Sequence, residues 1–569
     1  MKKLSSIILA SLLVSSCVDT IILPDDKTVD EDFWQTKADV SSMVNGAYNA
    51  MSSTDVLTRL ILWGGFRGDE YALVKESDTK GSVMDALEEI EGVNIQTTNM
   101  YATWASLYNV INICNIVLEK QQQVPSIDPN YTIGDMQVHR SQMLALRSLC
   151  YFYLVRAFRD VPYSTTAFMN SSQDMEMPQL APDVVLQNCL RDLEEAEANA
   201  LSPNAYSTTQ WRRVGWITRD GINALQADIC LWLASVHHSK DYYQRCVDYC
   251  EKIIESKKSQ HLIRAGQVEE SEFPLASATA MFNNVFSTGN AEESIFELQN
   301  QSNSAVATFF HKFKNSNSSY GYLRASNIFG ETGSVYGNQN SRDLRMFNNV
   351  YSGTETFDIR KMVANNGTVT AREARPSLSI PFKRNYIIYR LTDIMLMRAE
   401  ALVQLMDDDT DLTRLRTAYY MVQAVNTRSI KDDAKSDSLK WSMIGGTNTK
   451  FNTKEDAEKY IMLERQRELC FEGKRWYDLL RYHYRHVEGT QYDKTMAQIA
   501  QENGSFPDIY ADMKVLMTQS KGNARSGIQA KMKTEPYLYM PIPQTDINVS
   551  SVLVQNPVWS SGIEYEKSY

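Results

Sequence analysis

Two stretches carry the residue types that catalysis uses. Asp69-Glu70 sets two carboxylates side by side in WGGFRGDEY, Trp63 to Tyr71. ERQRELCFEGKRWYDLLRY, Glu464 to Tyr482, gathers nine charged side chains around one glycine and a Trp-Tyr pair. Glycoside hydrolysis needs two carboxyl groups about 5–10 Å apart across the scissile bond. Sequence neighbours such as Asp69 and Glu70 cannot oppose each other in that way, and no other pair of acids stands out. In the second stretch the signs alternate. Glu464 with Arg467, Glu472 with Arg475, and Arg475 with Asp478 stand three residues apart, the spacing at which helix side chains meet. Leu469, Cys470, Trp476, Tyr477 and Leu480 recur as one apolar stripe, and Gly473 breaks or bends the helix midway. The segment reads as scaffold, with its charges paired among themselves and Leu469, Trp476 and Leu480 facing the core.

The soft ligands are as quiet. Seven cysteines follow Cys17, an odd number that rules out full internal pairing, and no CxxC spacing occurs among them. Cys246 and Cys250 share a helix face, as a metal or redox pair would, but sit in an apolar pattern that reads as buried thiols. The histidines lack carboxylate partners at ligand spacing. Asp407, Asp408, Asp409 and Asp411 read as a charged helix break before a calcium site. No metal, no cofactor and no enzymatic activity are expected. A net charge of −11 leaves no basic footprint for nucleic acid.

The elements that must position any site are helical. DEDFWQTKADVSSMVNGAYNAM (Asp30 to Met51), WASLYNVINICNIVLEK (Trp104 to Lys120) and Pro182 to Ala200 each show an apolar helical face. Gln142 to Phe158 is apolar nearly all round, which predicts a central buried helix ended at Asp160-Val161-Pro162. Ile217 to Ser256 and Tyr389 to Asn426 read as helix pairs of about 35–40 residues, similar to degenerate tetratricopeptide repeats. Between them, Lys257 to Arg384 is rich in Ser, Asn, Gly and Tyr. It reads equally as structural loop or as a ligand surface. The fold class is mainly α with little β.

The first residues set the compartment. Met1-Lys2-Lys3 precedes the apolar run Leu4 to Val14, too short to span a bilayer, and Val14-Ser15-Ser16-Cys17 resembles a lipobox. Residues 1–16 are then a lipoprotein signal peptide, Cys17 the lipidated first mature residue, and 17–30 a tether. Several acyl chains on one residue anchor stably to a membrane.

Together, the lipobox, FWQT…VNGAYNAM, WASLYNVINICN, LRSLCYFYLVRAFRDVPY, YRLTDIMLMRAEAL, ERQRELCFEGKRWYDLLRY and YLYMPIPQTDINVSSVLVQNP resemble the SusD/RagB family of outer-membrane nutrient-binding lipoproteins, in order over nearly the whole mature chain. The resemblance implies a helical region over 31–256 and a loop-rich region over 257–569, packed as one unit. It implies a lipid-anchored cell-surface protein that binds a glycan, or in some branches a peptide. The protein would act as a lid delivering its ligand to a SusC-like TonB-dependent transporter. Aromatic rings stack on the C–H faces of a sugar, while Arg, Asp and Asn hydrogen-bond its hydroxyls. The resemblance points to Trp63, Arg67, Asp69 and Tyr71 after the first helix, and to Asn99 and Tyr101 in the loop before WASLY. In the polar insertion it points to Tyr320, Tyr322, Arg324 and Tyr336.

Overall fold

The computed structural model describes residues 33–74, 81–207, 209–260, 273–300, 321–330, 335–336, 343–352, 357–363, 384–430 and 451–559. Cys17, the lipobox and Tyr320 lie outside them. The first helices are α1 (Lys37–Met51), α2 (Thr54–Ile61), α3 (Ser82–Glu91), α4 (Ala105–Lys120), α5 (Ile133–Phe158) and α6 (Pro182–Asn199). They continue through α7 (Arg212–Gly215), α8 (Arg219–His237) and α9 (Lys240–Gln260). After the insertion come α10 (Leu391–Leu405), α11 (Leu412–Ser429), α12 (Lys454–Leu469), α13 (Arg475–Arg485), α14 (Ala511–Thr518) and α15 (Arg525–Lys531).

Local chemistry sets several of the ends. Thr36 and Asp39 form a capping box at α1, and Thr132 and Asp135 form one at α5, satisfying N–H groups that the first turn leaves unpaired. Asp411 caps α11 by accepting from the Arg414 N–H at 3.1 Å, so this acid of the Asp407–Asp411 run serves the helix start. Helix α5 begins nine residues before the expected Gln142, because its polar first turns are held by that cap. From Ser141 to Phe158 every side chain is buried, as the apolar run predicts.

The long helices pack in succession. Helix α1 lies on α4, α4 on α5, α5 on α6, α6 on α8, α8 on α9, α9 on α10, and α10 on α11 and α12. This is the ribbon of hairpins expected of tetratricopeptide-like pairs, each helix burying its apolar stripe between neighbours. Cys114, Cys150, Cys189, Cys230, Cys246, Cys250 and Cys470 are unpaired and buried within it. No helix among the described residues is long and apolar enough to cross a membrane.

The Lys257–Arg384 stretch is more than loop. It contributes β2 (Ser294–Leu298) and β3 (Leu323–Ala325), which pair antiparallel with β4 (Tyr386–Arg390) and β1 (Tyr71–Leu73).

The stretch from Glu464 to Tyr482 forms the end of α12, a tight turn and the start of α13. Gly473 separates the helices at φ +70°. A side chain there would strike the Tyr386 hydroxyl and come within 3.0 Å of the Leu60 carbonyl oxygen. Leu469, Trp476 and Leu480 face the core, as expected. The expected charge pairing is corrected, however. Only Glu464 with Arg467 meets, at 3.4 Å. Glu472 instead binds Lys361 and Arg390, the latter at 2.8 Å, and Arg475 binds Asp69 at 2.9 Å. Asp478 binds Arg465 at 2.9 Å and Arg481 at 2.7 Å. Glu468 is clasped by Arg345 at 3.0 Å, Arg390 at 2.7 Å, and Arg428. Burial pushes the Glu468 carboxyl up, but the three guanidinium groups outweigh it and hold it well below the carboxylate range. The charges join segments far apart in sequence because both helices are buried, and a buried charge needs a partner close by.

Candidate functional site

The ladder of β1 and β3 brings together the segments around Trp63, Asn99 and Tyr322. Tyr71 pairs with Ala325, Ala72 with Arg324 and Leu73 with Leu323. The ladder is extended at both ends. The Val74 N–H donates to the Tyr322 carbonyl at 2.9 Å, and the Ser326 N–H to the Glu70 carbonyl at 2.9 Å. The Trp63 indole N–H donates to the Tyr101 carbonyl at 2.9 Å, and Arg59 donates to the carbonyls of Met100 and Thr103. These bonds hold the 94–103 loop beside the ladder.

The placement of individual side chains differs from expectation. Trp63, Arg67, Asp69, Tyr71, Asn99, Tyr101 and Tyr336 are buried, none more than 6 % exposed, and so offer no face for a sugar to stack on. Trp63 meets Phe158 edge to face at 5.4 Å. Arg67 donates to the carbonyls of Leu538 and Tyr537 and lies 4.4 Å over the Trp476 ring, and burial lowers its pKa to about 9. Asp69 accepts from Arg475 at 2.9 and 3.1 Å, from Gln466 at 3.1 Å and from Gln519 at 2.6 Å. Glu70 accepts from the Phe471 N–H at 3.0 Å, and burial raises its carboxyl to about 8. Tyr71 packs against Phe471. Asn99 ties its loop to the Ala86 carbonyl at 2.9 Å and to Glu89 at 2.7 Å. The Tyr101 phenol is raised to about 12 by burial. The Tyr336 hydroxyl donates to the Arg467 carbonyl at 2.9 Å. These seven are corrected from ligand contacts to the frame beneath the surface.

Two candidates remain at the surface. Side chains alternate across a strand, so Tyr71, Leu73, Leu323 and Ala325 point inward while Ala72, Tyr322 and Arg324 are half-exposed on the other face. Arg324 has no ion-pair or hydrogen-bond partner among the described residues. It borders an open cavity of about 870 Å³ whose other charged walls are Glu88 and Glu91 of the α3 end and Lys521 and Lys531 around α15. Lys531 donates to the Gly92 carbonyl, and Lys521 stands 4.0 Å from Glu91. The sequence reading missed these four residues because α15 is only seven residues long and the apolar positions of α3, Met84, Leu87 and Ile90, make too short a stripe to stand out. Met100, 47 % exposed, stands on the neighbouring loop. No cluster of three or more acidic, His or Cys groups placed to hold a metal occurs among the described residues.

These features define a class: a helical-repeat protein whose inserted strands carry a partly open polar cavity on a rigid, charge-paired frame. The chain belongs to the SusD/RagB family. The SusD family profile matches residues 305–559, and a second profile, described as starch-binding associating with outer membrane, matches residues 23–216. SusD-like protein P38 of Formosa agariphila is 23% identical over 84% of this chain and 92% of its own length. SusD-like protein P25 of the same organism is 23% identical over 98% and 99%. The fold is shared with a SusD superfamily protein of Bacteroides thetaiotaomicron, at TM-score 0.62 and 21% identity over 93% of this chain and 99% of that one. NanU of B. fragilis aligns at TM-score 0.62 and 18% identity, over 95% and 100%.

Proposed function

We propose that the protein captures a glycan at the outer surface of the outer membrane, held there by lipid on Cys17, and passes it to a SusC-like TonB-dependent transporter. The carrying observation is the half-exposed face of the β1–β3 ladder. Arg324 supplies an uncommitted guanidinium at the rim of a roughly 870 Å³ cavity, and Tyr322, two residues before it on the same half-exposed face, supplies a ring beside it; Asp69 and Arg475 beneath are already paired. Membership of a family described as starch-binding and associated with the outer membrane supports the same reading. Asp69 and Glu70 are engaged inside the frame, which favours binding over hydrolysis at this surface.

Isothermal titration of the mature chain against a panel of neutral and acidic oligosaccharides tests this reading. Binding of at least one glycan, weakened roughly tenfold or more by Arg324→Ala or Tyr322→Ala, is expected; one lost contact of about 1.4 kcal/mol has that effect. Binding of peptides alone, or of no saccharide, would overturn it.

A further inference from the structure

A second cavity, of about 620 Å³, opens between α1 and α7, away from the β1–β3 ladder. Its walls combine exposed aromatic surface with polar groups that the fold does not use. Trp211 is 37 % exposed and meets the half-buried Trp216 edge to face at 6.0 Å and 77°. The Arg212 guanidinium lies 5.0 Å from one ring and 4.8 Å from the other. It has no carboxylate partner among the described residues. Asn45 and Asn49, one turn apart on α1, face the same cavity, and neither amide has a hydrogen-bond partner among the described residues.

The arrangement is built into the backbone. A side chain at Gly215 would stand 2.6 Å from Trp211 Cε3 and 2.8 Å from Gln299 Cγ, so glycine is what lets the indole fold over the turn. Below, Tyr48 stacks on Trp216 at 6.4 Å and 23°. The Tyr48 hydroxyl is itself fixed, donating to Gln142 Oε1 at 3.2 Å and accepting from the Ile217 N–H at 3.0 Å. The floor is aromatic, while the wall carries, among the described residues, one cation, Arg212, and four amides, those of Asn45, Asn49, Gln299 and Asn300.

We infer that this cavity is a second saccharide-binding site, with a pyranose C–H face on Trp211 and ligand oxygens accepting from Arg212, Asn45 and Asn49. An indole offers a flat apolar face with little rotamer entropy to lose, and guanidinium and amide N–H groups match the acceptors of a sugar rim. Arg212 is the only charged group on the wall among the described residues, which suits a neutral or acidic ligand: a hydroxyl or a uronate oxygen can take the same place. With the Tyr322–Arg324 surface, one chain would hold a long glycan at two points or two short ones at once, raising avidity without new contacts.

The test is titration of the mature chain with maltohexaose, xylohexaose and tetragalacturonate, reading stoichiometry by calorimetry and indole burial by tryptophan fluorescence. In a Tyr322→Ala/Arg324→Ala background at least one of these saccharides should still bind and shift the fluorescence. Adding Trp211→Ala should lower that residual affinity at least tenfold, and Trp211→Tyr should restore most of it. A stronger effect of Arg212→Ala on tetragalacturonate than on maltohexaose would assign a carboxylate to the guanidinium, and equal effects a hydroxyl. Residual binding that ignores Trp211→Ala and Arg212→Ala overturns this site. So does wild-type binding abolished by Tyr322→Ala/Arg324→Ala alone, which leaves the first site standing. Binding that persists at Trp211 but never responds to Tyr322 or Arg324 overturns the first site and leaves this one.

Discussion

At the scale of single residues, chemical type proved a poor guide to exposure. Asp69 has the features of a ligand group, yet four hydrogen bonds from Arg475, Gln466 and Gln519 take up its carboxylate. Asp69→Asn leaves the Arg475 cation buried without its counter-charge, which costs about 3–5 kcal/mol. The expected outcome is a lower urea midpoint with saccharide affinity of the folded protein unchanged. Unchanged stability with binding lost would restore Asp69 to the ligand surface. What the sequence could not reveal here is parity. Arg324 and Leu323 differ by one position in a strand, and that one step separates a side chain at a cavity from one in the core. Without a recognisable strand in a stretch so rich in Ser, Asn and Gly, nothing assigns the two faces. Trp211 and Arg212 escaped notice for a related reason, since a four-residue helix has no periodicity to read.

At the scale of elements, the long helices were legible because their apolar stripes are long and their stops are chemical, as with Pro162 after α5. The turn between α12 and α13 was legible from Gly473, although the reason for that glycine was not. It adopts φ +70° with the Tyr386 hydroxyl and the Leu60 carbonyl pressed against it, and Gly64 packs on its carbonyl from the other side. Gly489 has a similar φ of +78° but open space around it. Gly489→Ala should therefore cost only the backbone strain of a left-handed φ, about 1–2 kcal/mol. Gly473→Ala should cost distinctly more, because it adds steric conflict on a packed surface. Urea midpoints of the two variants measure the difference, and equal losses would show that the contact around Gly473 yields freely.

For the whole molecule, the buried charges predict how stability follows pH. Glu400, Glu458, Glu468 and Glu472 are pushed up by burial but held below the carboxylate range by their arginines, with His486 added for Glu458 and Lys361 for Glu472; Asp393, also pushed up by burial, is brought to about 2 by Lys474 and Arg465. Folded pKa values below unfolded ones contribute stability that is present above about pH 4.5 and lost as pH falls toward 2. His483, lowered to about 3 by burial, and His139, lowered to about 4, add to the acid loss from about pH 6.5 downward. Glu70, raised to about 8, runs the other way and offsets part of the histidine effect between pH 7 and 4.5. Stability should change little from pH 7 to 5 and fall steeply below 4.5. Urea midpoints at pH 7, 5, 4 and 3 check this, and an equal midpoint at 5 and 3 would contradict it.

The ribbon also has a consequence for how the chain can assemble. Of the long helices, α1, α4, α5, α6 and α8 each pack on a long helix that follows within the first half of the chain, but the next partner of α9 is α10, and residues 261–390 lie between them. Closing so long a connection costs about 2 kcal/mol more than closing one ten times shorter. During synthesis the first half of the ribbon can zip together locally, while the last face of α9 stays uncovered until residue 391 and its successors have emerged. The seam between α9 and α10 is thus a slow, non-local step in a ribbon whose earlier long helices pack in succession. It is also the point at which the incomplete chain presents apolar surface to other molecules.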